Sequence, residues 1–221
     1  MSEAANYFRW QSDMVTRELG RKVVEVGCGI GNFTERLLDR DLVVAIDIER
    51  ECVERLKERY RNHSNLIAIA GDAAHALREA ARFHPDSCVC LNVLEHIEDD
   101  LEALQAMGSA IVPGGVVVLL VPAFPALYGP IDHNLGHYRR YTRTSLARAA
   151  GSAGLRVRKL RYMNTVGFFG WWTNSHLLRR EEQSTAQIRL FDGMVVPVMS
   201  KLESILPPPF GQSLFAVLER P

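Results

Sequence analysis

Four short stretches hold residues whose types and spacing suit work on a nucleotide-like ligand. VVEVGCGIGNF at 23–33 is an apolar run followed by Gly27, Gly29 and Gly31, with Cys28 between the first two. Glycines let a backbone approach a ligand that any side chain would fend off. LVVAID ends on Asp47, twenty residues after Gly27, and a carboxylate at a strand tip accepts both hydroxyls of a ribose. AGDA supplies Asp72, a carboxylate that can accept from an exocyclic amine such as that of adenine. NVLEHIEDD adds Asn92, Val93, Glu95 and His96 at what reads as a fourth strand tip.

A further stretch, YGPIDHNLGHYRRYT, suits an acceptor of another group. It holds Tyr128, Asp132, His133, His137, Tyr138, Arg139, Arg140 and Tyr141 within fifteen residues. Histidine titrates near neutrality, which makes His96, His133 and His137 the candidate bases. Arginine clamps phosphate or carboxylate bidentately. Tyr128, Asp132, His137, Arg139, Arg140, Tyr141 and Trp171 are the candidate acceptor contacts. The alternative is an internally bonded loop in which Asp132 pairs an arginine. GFFGWW at 167–172 packs four large aromatics into six residues. Such a block walls an apolar pocket, lies on a membrane surface or fills core under a lid.

The elements that position these residues alternate from residue 22 to about 123. Strands VVEVG, LVVAID, NLIAIAGDA, DSCVCLNVL and GGVVVLLVP are separated by helical patterns at NFTERLLDR, RECVERLKERY, about 75–82 and DDLEALQAMGSAI. Near-continuous Val, Ile and Leu strands between amphipathic helices predict a parallel sheet covered on both faces. AFPALYGPIDHNLGHYRRYT reads as an ordered loop, TRTSLARAAGSAG as a capped helix, LRVRKLRYM as a sixth strand and SLFAVLE as a last one. Residues from 164 to about 204 read as helical and partly apolar. The whole is one α/β domain. Residues 1–20 form an N-terminal capping helix, 21–123 the ligand core, 124–212 the acceptor-side loop, edge strand and partly helical lid, and 213–221 the last strand.

The chain has 221 residues, 47% hydrophobic, with zero formal net charge, a globular composition. Lys and Arg against Asp and Glu number 13 to 21 over 1–132, 10 to 0 over 133–180 and 3 to 5 over 181–221. The middle island suits an anionic acceptor or an acidic lipid surface, or is plain solvated surface. Cys28, Cys52, Cys88 and Cys90 lack zinc-like pairing, so they read as reduced thiols and no metal site is expected. Residues 1–20 do not read as a secretory signal, no run spans a bilayer, and the expected location is cytoplasmic. A nucleic-acid partner is not expected, because no basic, aromatic-interleaved appendage is present.

GxGxG with Asn32 following departs from the dinucleotide pattern GxGxxG, which disfavours a nicotinamide oxidoreductase, and no GK[ST] follows for a P-loop. EVGCGIG, AIDIE, AGDA and LNVLEHIEDD, in that order, with PGG at 113–115, resemble a class I S-adenosylmethionine-dependent methyltransferase over roughly residues 20–123. The resemblance implies a Rossmann-like seven-stranded, mostly parallel sheet with helices on both faces and an antiparallel last strand. It implies that Glu25 and the Gly27–Gly31 turn, Cys28 included, hold the methionine end of S-adenosylmethionine. Asp47 would bind the ribose, Ile48 would pack on the adenine, Asp72 and Ala73 would bind its edge, and Asn92 and Val93 would line the methionine side. An N-terminal helix closes over the cofactor in such enzymes, so Tyr7 or Arg9 reaches it or packs in the core. The expected reaction is methyl transfer to oxygen or nitrogen of a small or amphipathic, anionic or lipid-linked acceptor, with peripheral membrane contact allowed. A non-catalytic cofactor-binding partner subunit is the other reading.

Overall fold

The computed structural model describes residues 4–174 and 185–221. Seven strands form one sheet in the order β3-β2-β1-β4-β5-β7-β6. They are β1 (Lys22–Val26), β2 (Leu42–Asp47), β3 (Leu66–Ala70), β4 (Ser87–Leu91), β5 (Val116–Pro122), β6 (Arg156–Met163) and β7 (Ser213–Glu219). The pairs among β1 to β5 are parallel, and β7 runs antiparallel to both of its neighbours. This is the architecture the sequence predicts. All seven residues of β5 are buried, as an apolar run covered on both faces requires. β6 closes the edge, and its first four residues, Arg156 to Lys159, are exposed.

The helices are α1 (Ala5–Thr16), α2 (Arg50–Arg59), α3 (Ala73–Ala80), α4 (Asp100–Ala110), α5 (Pro130–Asn134), α6 (Arg143–Ser152), α7 (Thr165–Trp172), α8 (Thr185–Leu190) and α9 (Val196–Ile205). Leu77, Leu104, Met107 and Leu146 of α3, α4 and α6 cover one face, packed with Val24, Ile46 and Leu119. Val15 of α1, with Phe33 and Leu37, packs with Val43, Val118 and Phe215 on the other.

Two sequence expectations change. NFTERLLDR is a 3-10 turn over Thr34–Leu37 instead of a full helix. The buried Thr34 hydroxyl is drawn to the Glu25 carboxylate at 2.6 Å, and the amides of Arg36 and Arg40 bond three residues back, which tightens the pitch. The stretch expected to be loop contains a 3-10 turn at Pro125–Leu127 and α5. Proline opens each of the two, where its missing N–H costs nothing. The part of the expected lid at 175–184 lies outside the described residues.

Contacts distant in sequence tie the segment from residue 185 onward to the rest of the chain. Asp192 is buried and accepts from the backbone N–H of Asn6 at 3.0 Å and of Tyr7 at 2.7 Å, so its carboxylate caps α1. Glu203 of α9 is buried and accepts from the N–H of Asn164 and of Thr165, both at 2.9 Å, capping α7.

Candidate functional site at the carboxyl edge

β1 and β4 are neighbours whose chains leave the sheet toward opposite sides, the crevice where open α/β sheets bind ligands. The loops after them press together. Gly27 has φ +78°, and a Cβ there would lie 2.2 Å from Val93 Cγ2. Gly29 has φ +52°, and a Cβ there would meet no atom within 4 Å. One glycine is required by packing and the other faces open space, the cradle a ligand backbone contact needs.

Carboxylates surround this turn. Glu25 is 4% exposed, and burial, offset in part by the Thr34 bond and reinforced by Asp47, pushes its carboxyl up to about 8. Such an acid is ready for a ligand cation that restores its charge. Asp47 accepts from Gly29 N at 2.7 Å and Glu49 N at 3.0 Å, which leaves lone pairs on both oxygens. Ile48 beside it is 72% exposed. Asp72 caps α3 by accepting from His75 N at 2.9 Å, and Ala73 opens that helix. Cys28 is buried, its thiol pushed up by that burial. The donors and the open cradle fit S-adenosylmethionine: an acid for its ammonium, a tip carboxylate for its ribose and an open apolar face for its base.

A cavity of about 830 Å³ adjoins the same edge. Its wall takes Tyr7 from α1, Asn92, Glu95 and His96 from the β4 tip, Pro122 from the end of β5, and His137 and Arg140 from the loop after α5. Asn164, Phe169 and Trp171 close it from the α7 side. Asn92 turns into the cavity with φ +52°, a left-handed conformation that asparagine tolerates. Burial raises the pKa of the Tyr7 hydroxyl. Tyr7 packs against the core and lines the cavity.

Asp132 organises the acceptor side. It is fully buried and accepts from Arg140 Nε at 2.7 Å and His137 Nδ1 at 2.9 Å. Burial alone would raise this carboxyl, yet its bonds to His137 and Arg140 hold it below the ordinary range. Arg140 lies over the Trp171 ring at 4.5 Å, which fixes both. His96 meets His137 edge-on at 4.6 Å between ring centres, and burial lowers its proton affinity. Glu95 is 1% exposed, and burial pushes it up to about 7.

Five of the residues expected on the acceptor side, Tyr128, Asp132, His133, Arg139 and Tyr141, do not line the cavity. Tyr141 is buried, its hydroxyl donating to Asp100 Oδ2 at 2.8 Å. Arg139 is held by the Glu98 carbonyl and Asp100. Tyr128 donates to the His137 carbonyl at 2.7 Å, and His133 is exposed on α5. Asp132 is buried with its carboxylate on Arg140 and His137. In the described part of the basic island, Arg156 and Arg158 pair with Glu219 and Lys159 with Glu18. The sequence places Glu95 at the fourth strand tip without giving it a role, although it sits beside His96 in LEHI. Sequence reasoning missed Asn164 and Asp192, whose roles depend on contacts far along the chain.

Residues 5–160 match the family described as a methyltransferase domain. The chain belongs to the class I S-adenosylmethionine-dependent methyltransferases. This methyltransferase is similar to the ubiquinone biosynthesis O-methyltransferase of Methylococcus capsulatus, 31% identical over 44% of this chain and 42% of that one. It is 32% identical to an uncharacterized methyltransferase of Mycobacterium tuberculosis over 50% of this chain and 55% of the other. The match thus spans about half the length of these curated relatives. Among solved structures, a geranyl diphosphate methyltransferase in complex with SAM aligns with TM-score 0.65 at 13% identity, over 96% of this chain and 84% of that one. A SAM-dependent methyltransferase from Archaeoglobus fulgidus aligns with TM-score 0.61 at 18% identity, over 96% and 93%. At these identities the likeness is one of fold. Among the described residues, no helix of this methyltransferase is long and apolar enough to cross a membrane.

Proposed function

We propose that this methyltransferase moves the methyl of S-adenosylmethionine to an oxygen of an amphipathic acceptor held in the cavity. The observation that carries this reading is the sharing of the β4 tip. Val93 packs against the glycine turn, while Asn92, Glu95 and His96 line the adjoining cavity. A cofactor on the turn and an acceptor in the cavity therefore meet at one point.

The cofactor, when bound, supplies a sulfonium methyl whose C–S electron pair returns to sulfur as the acceptor oxygen bonds the carbon. The chain aligns the partners and excludes water. Glu25 and the Gly27–Gly31 turn, with Cys28, hold the methionine end. Asp47 holds the ribose, Ile48 covers the adenine, Asp72 and Ala73 meet its edge, and Asn92, Val93 and Tyr7 line the methyl side. Glu95, His96 and His137 line the part of the cavity where the acceptor hydroxyl gives up its proton.

Two features support an amphipathic acceptor. Phe169 and Trp171 of α7 add apolar wall to the cavity. Leu190, Met194, Val198 and Leu202 recur every four residues and are more than half exposed. Such a row suits a lipid-linked acceptor reached from a membrane surface. Oxygen as the target agrees with the name of the Methylococcus relative.

The test uses cofactor labelled on its methyl group, incubated with purified protein and cell extract, followed by solvent partition. Label in the organic phase is the expected result. Label in the aqueous small-molecule fraction would replace the lipid-like acceptor with a polar one. Bound cofactor with no transfer would overturn the reading.

A further inference from the structure

Glu95, His96 and His137 line the cavity and each offers one ligand atom, and these atoms lie within 4.8 Å of one another. We propose that the three residues bind a divalent first-row transition cation, zinc or an ion of similar size, with its remaining coordination positions open to the acceptor cavity. The binding claim stands on these residues alone. The role given to the cation rests on the methyl-transfer reading.

The donor set comes first. Two imidazoles and one carboxylate suit zinc, iron, cobalt and manganese, and three protein ligands leave room for an exogenous oxygen. Ligand atoms about 2.1 Å from one ion at tetrahedral angles stand roughly 3.4 Å apart, so small side-chain rotations close the triad on an ion.

The support of each ligand comes second. Metal-bound histidines characteristically give their other ring nitrogen to a carboxylate or carbonyl. His137 Nδ1 is on Asp132 at 2.9 Å, which leaves Nε2 as the ligand. Asp132 is in turn held by Arg140 at 2.7 Å and by Gly129 N at 3.1 Å. The His96 ring lies edge-on to that of His137, 4.6 Å between ring centres. Two separate segments supply the residues, and the Tyr138 amide donating to the Glu95 carbonyl at 2.8 Å fixes one against the other.

The third observation is independent of the histidines. Glu95 Oε2 is buried and has no hydrogen-bond partner, on a residue 1% exposed. Buried polar atoms ordinarily have partners, and one without needs an explanation such as an ion. A cation between the histidines supplies it. Charge agrees. Ionised Glu95 and Asp132 against Arg140 leave one negative charge, which a dication turns to a net positive one. The cavity then favours an anionic oxygen. An acceptor hydroxyl on an open position ionises more readily, its proton leaving to water. His96 and His137 thus act as ligands, not as bases.

The test titrates chelator-stripped full-length protein with zinc chloride by calorimetry and with Co2+ by visible absorption. Wild type is expected to take up one ion per chain, with cobalt bands that signal imidazole ligation. Glu95→Gln, His96→Ala and His137→Ala should each bind at least about tenfold more weakly, the scale reported for losses around metal sites. His133→Ala, exposed on α5, should bind as wild type does. Circular dichroism and melting temperature exclude any variant that does not fold, and three single-ligand variants keep the comparison available. Absence of saturable uptake by wild type, or equal uptake by folded Glu95→Gln and His137→Ala, would overturn the proposal. S-adenosylmethionine binding is measured on the same samples. Cofactor binding without metal uptake sinks this inference and spares the methyl-transfer reading. Metal uptake without cofactor binding does the reverse.

Discussion

The two halves of the carboxyl edge are held in shape by different means. After β1, β2 and β3 the loops are held by backbone fit and by side chains that bond backbone amides. Gly27 fits against Val93, Asp47 accepts from Gly29 N, and Asp72 caps the helix it precedes. After β4, β5 and β6 side chains do the holding, through the buried Asp132 bridge, Asp192 on α1 and Glu203 on α7. The lesson is one of separability. A backbone cradle fails when it is filled, and a side-chain network fails when one charge loses its partner. The two halves should therefore break independently.

Replacing Asp132 with Asn removes one partner from a fully buried charged cluster. A loss of about 3–5 kcal/mol of stability is expected, read by denaturant unfolding. In folded protein at low temperature, methyl transfer should collapse while S-adenosylmethionine affinity stays within about twofold, because the cradle is untouched. Equal loss of cofactor binding would mean that the halves are one unit.

The glycines sharpen the comparison within the cradle. Gly27→Ala meets Val93 at 2.2 Å on a left-handed backbone, so stability and cofactor binding should both fall. Gly29→Ala meets no protein atom, so its cost to the fold is the backbone alone, about 1–2 kcal/mol. Calorimetry should nevertheless show cofactor binding lost in both. Normal binding by Gly29→Ala would place the cofactor elsewhere.

Acidity separates the halves further. Burial raises Glu25 to about 8, so below that pH the acid is protonated and binding a ligand ammonium must expel the proton. Cofactor affinity should rise with pH from 6 toward 8, by up to about tenfold per unit well below 8. Glu25→Gln should flatten the profile. The same shift makes the ligand-free protein lose stability as pH rises from 4.5 to about 8, since the unfolded chain ionises first. The smallest effect is expected from Asp192→Ala, which removes the cap on α1. About 1–2 kcal/mol of stability should go, with acceptor KM rising more than cofactor Kd changes.

The comparison also explains what the sequence reveals. The cofactor half is local: each carboxylate stands at a strand tip in its own βα unit, and continuous apolar strands announce a parallel sheet. NFTERLLDR misleads because helical spacing says nothing of the pull of Glu25 on Thr34. The acceptor half is not local. HYRRY offers chemistry by composition, but nothing in the spacing tells that Arg140 and His137 share Asp132 while Arg139 and Tyr141 turn to Asp100. Asp192 capping a helix 186 residues earlier has no sequence signal at all. Glu95 was within reach, since an acid beside His96 at a strand tip already marks a place where two ionisable groups enter one site.

The central claim is that cradle and cavity meet at the β4 tip. A crystal structure with S-adenosylhomocysteine tests it most directly. The account predicts the ribose on Asp47, the carboxyl end on the Gly27–Gly31 turn, and the sulfur beside Asn92, facing the cavity of Glu95, His96 and His137. A sulfur turned away from that cavity, or a ligand seated off the glycine turn, would contradict it.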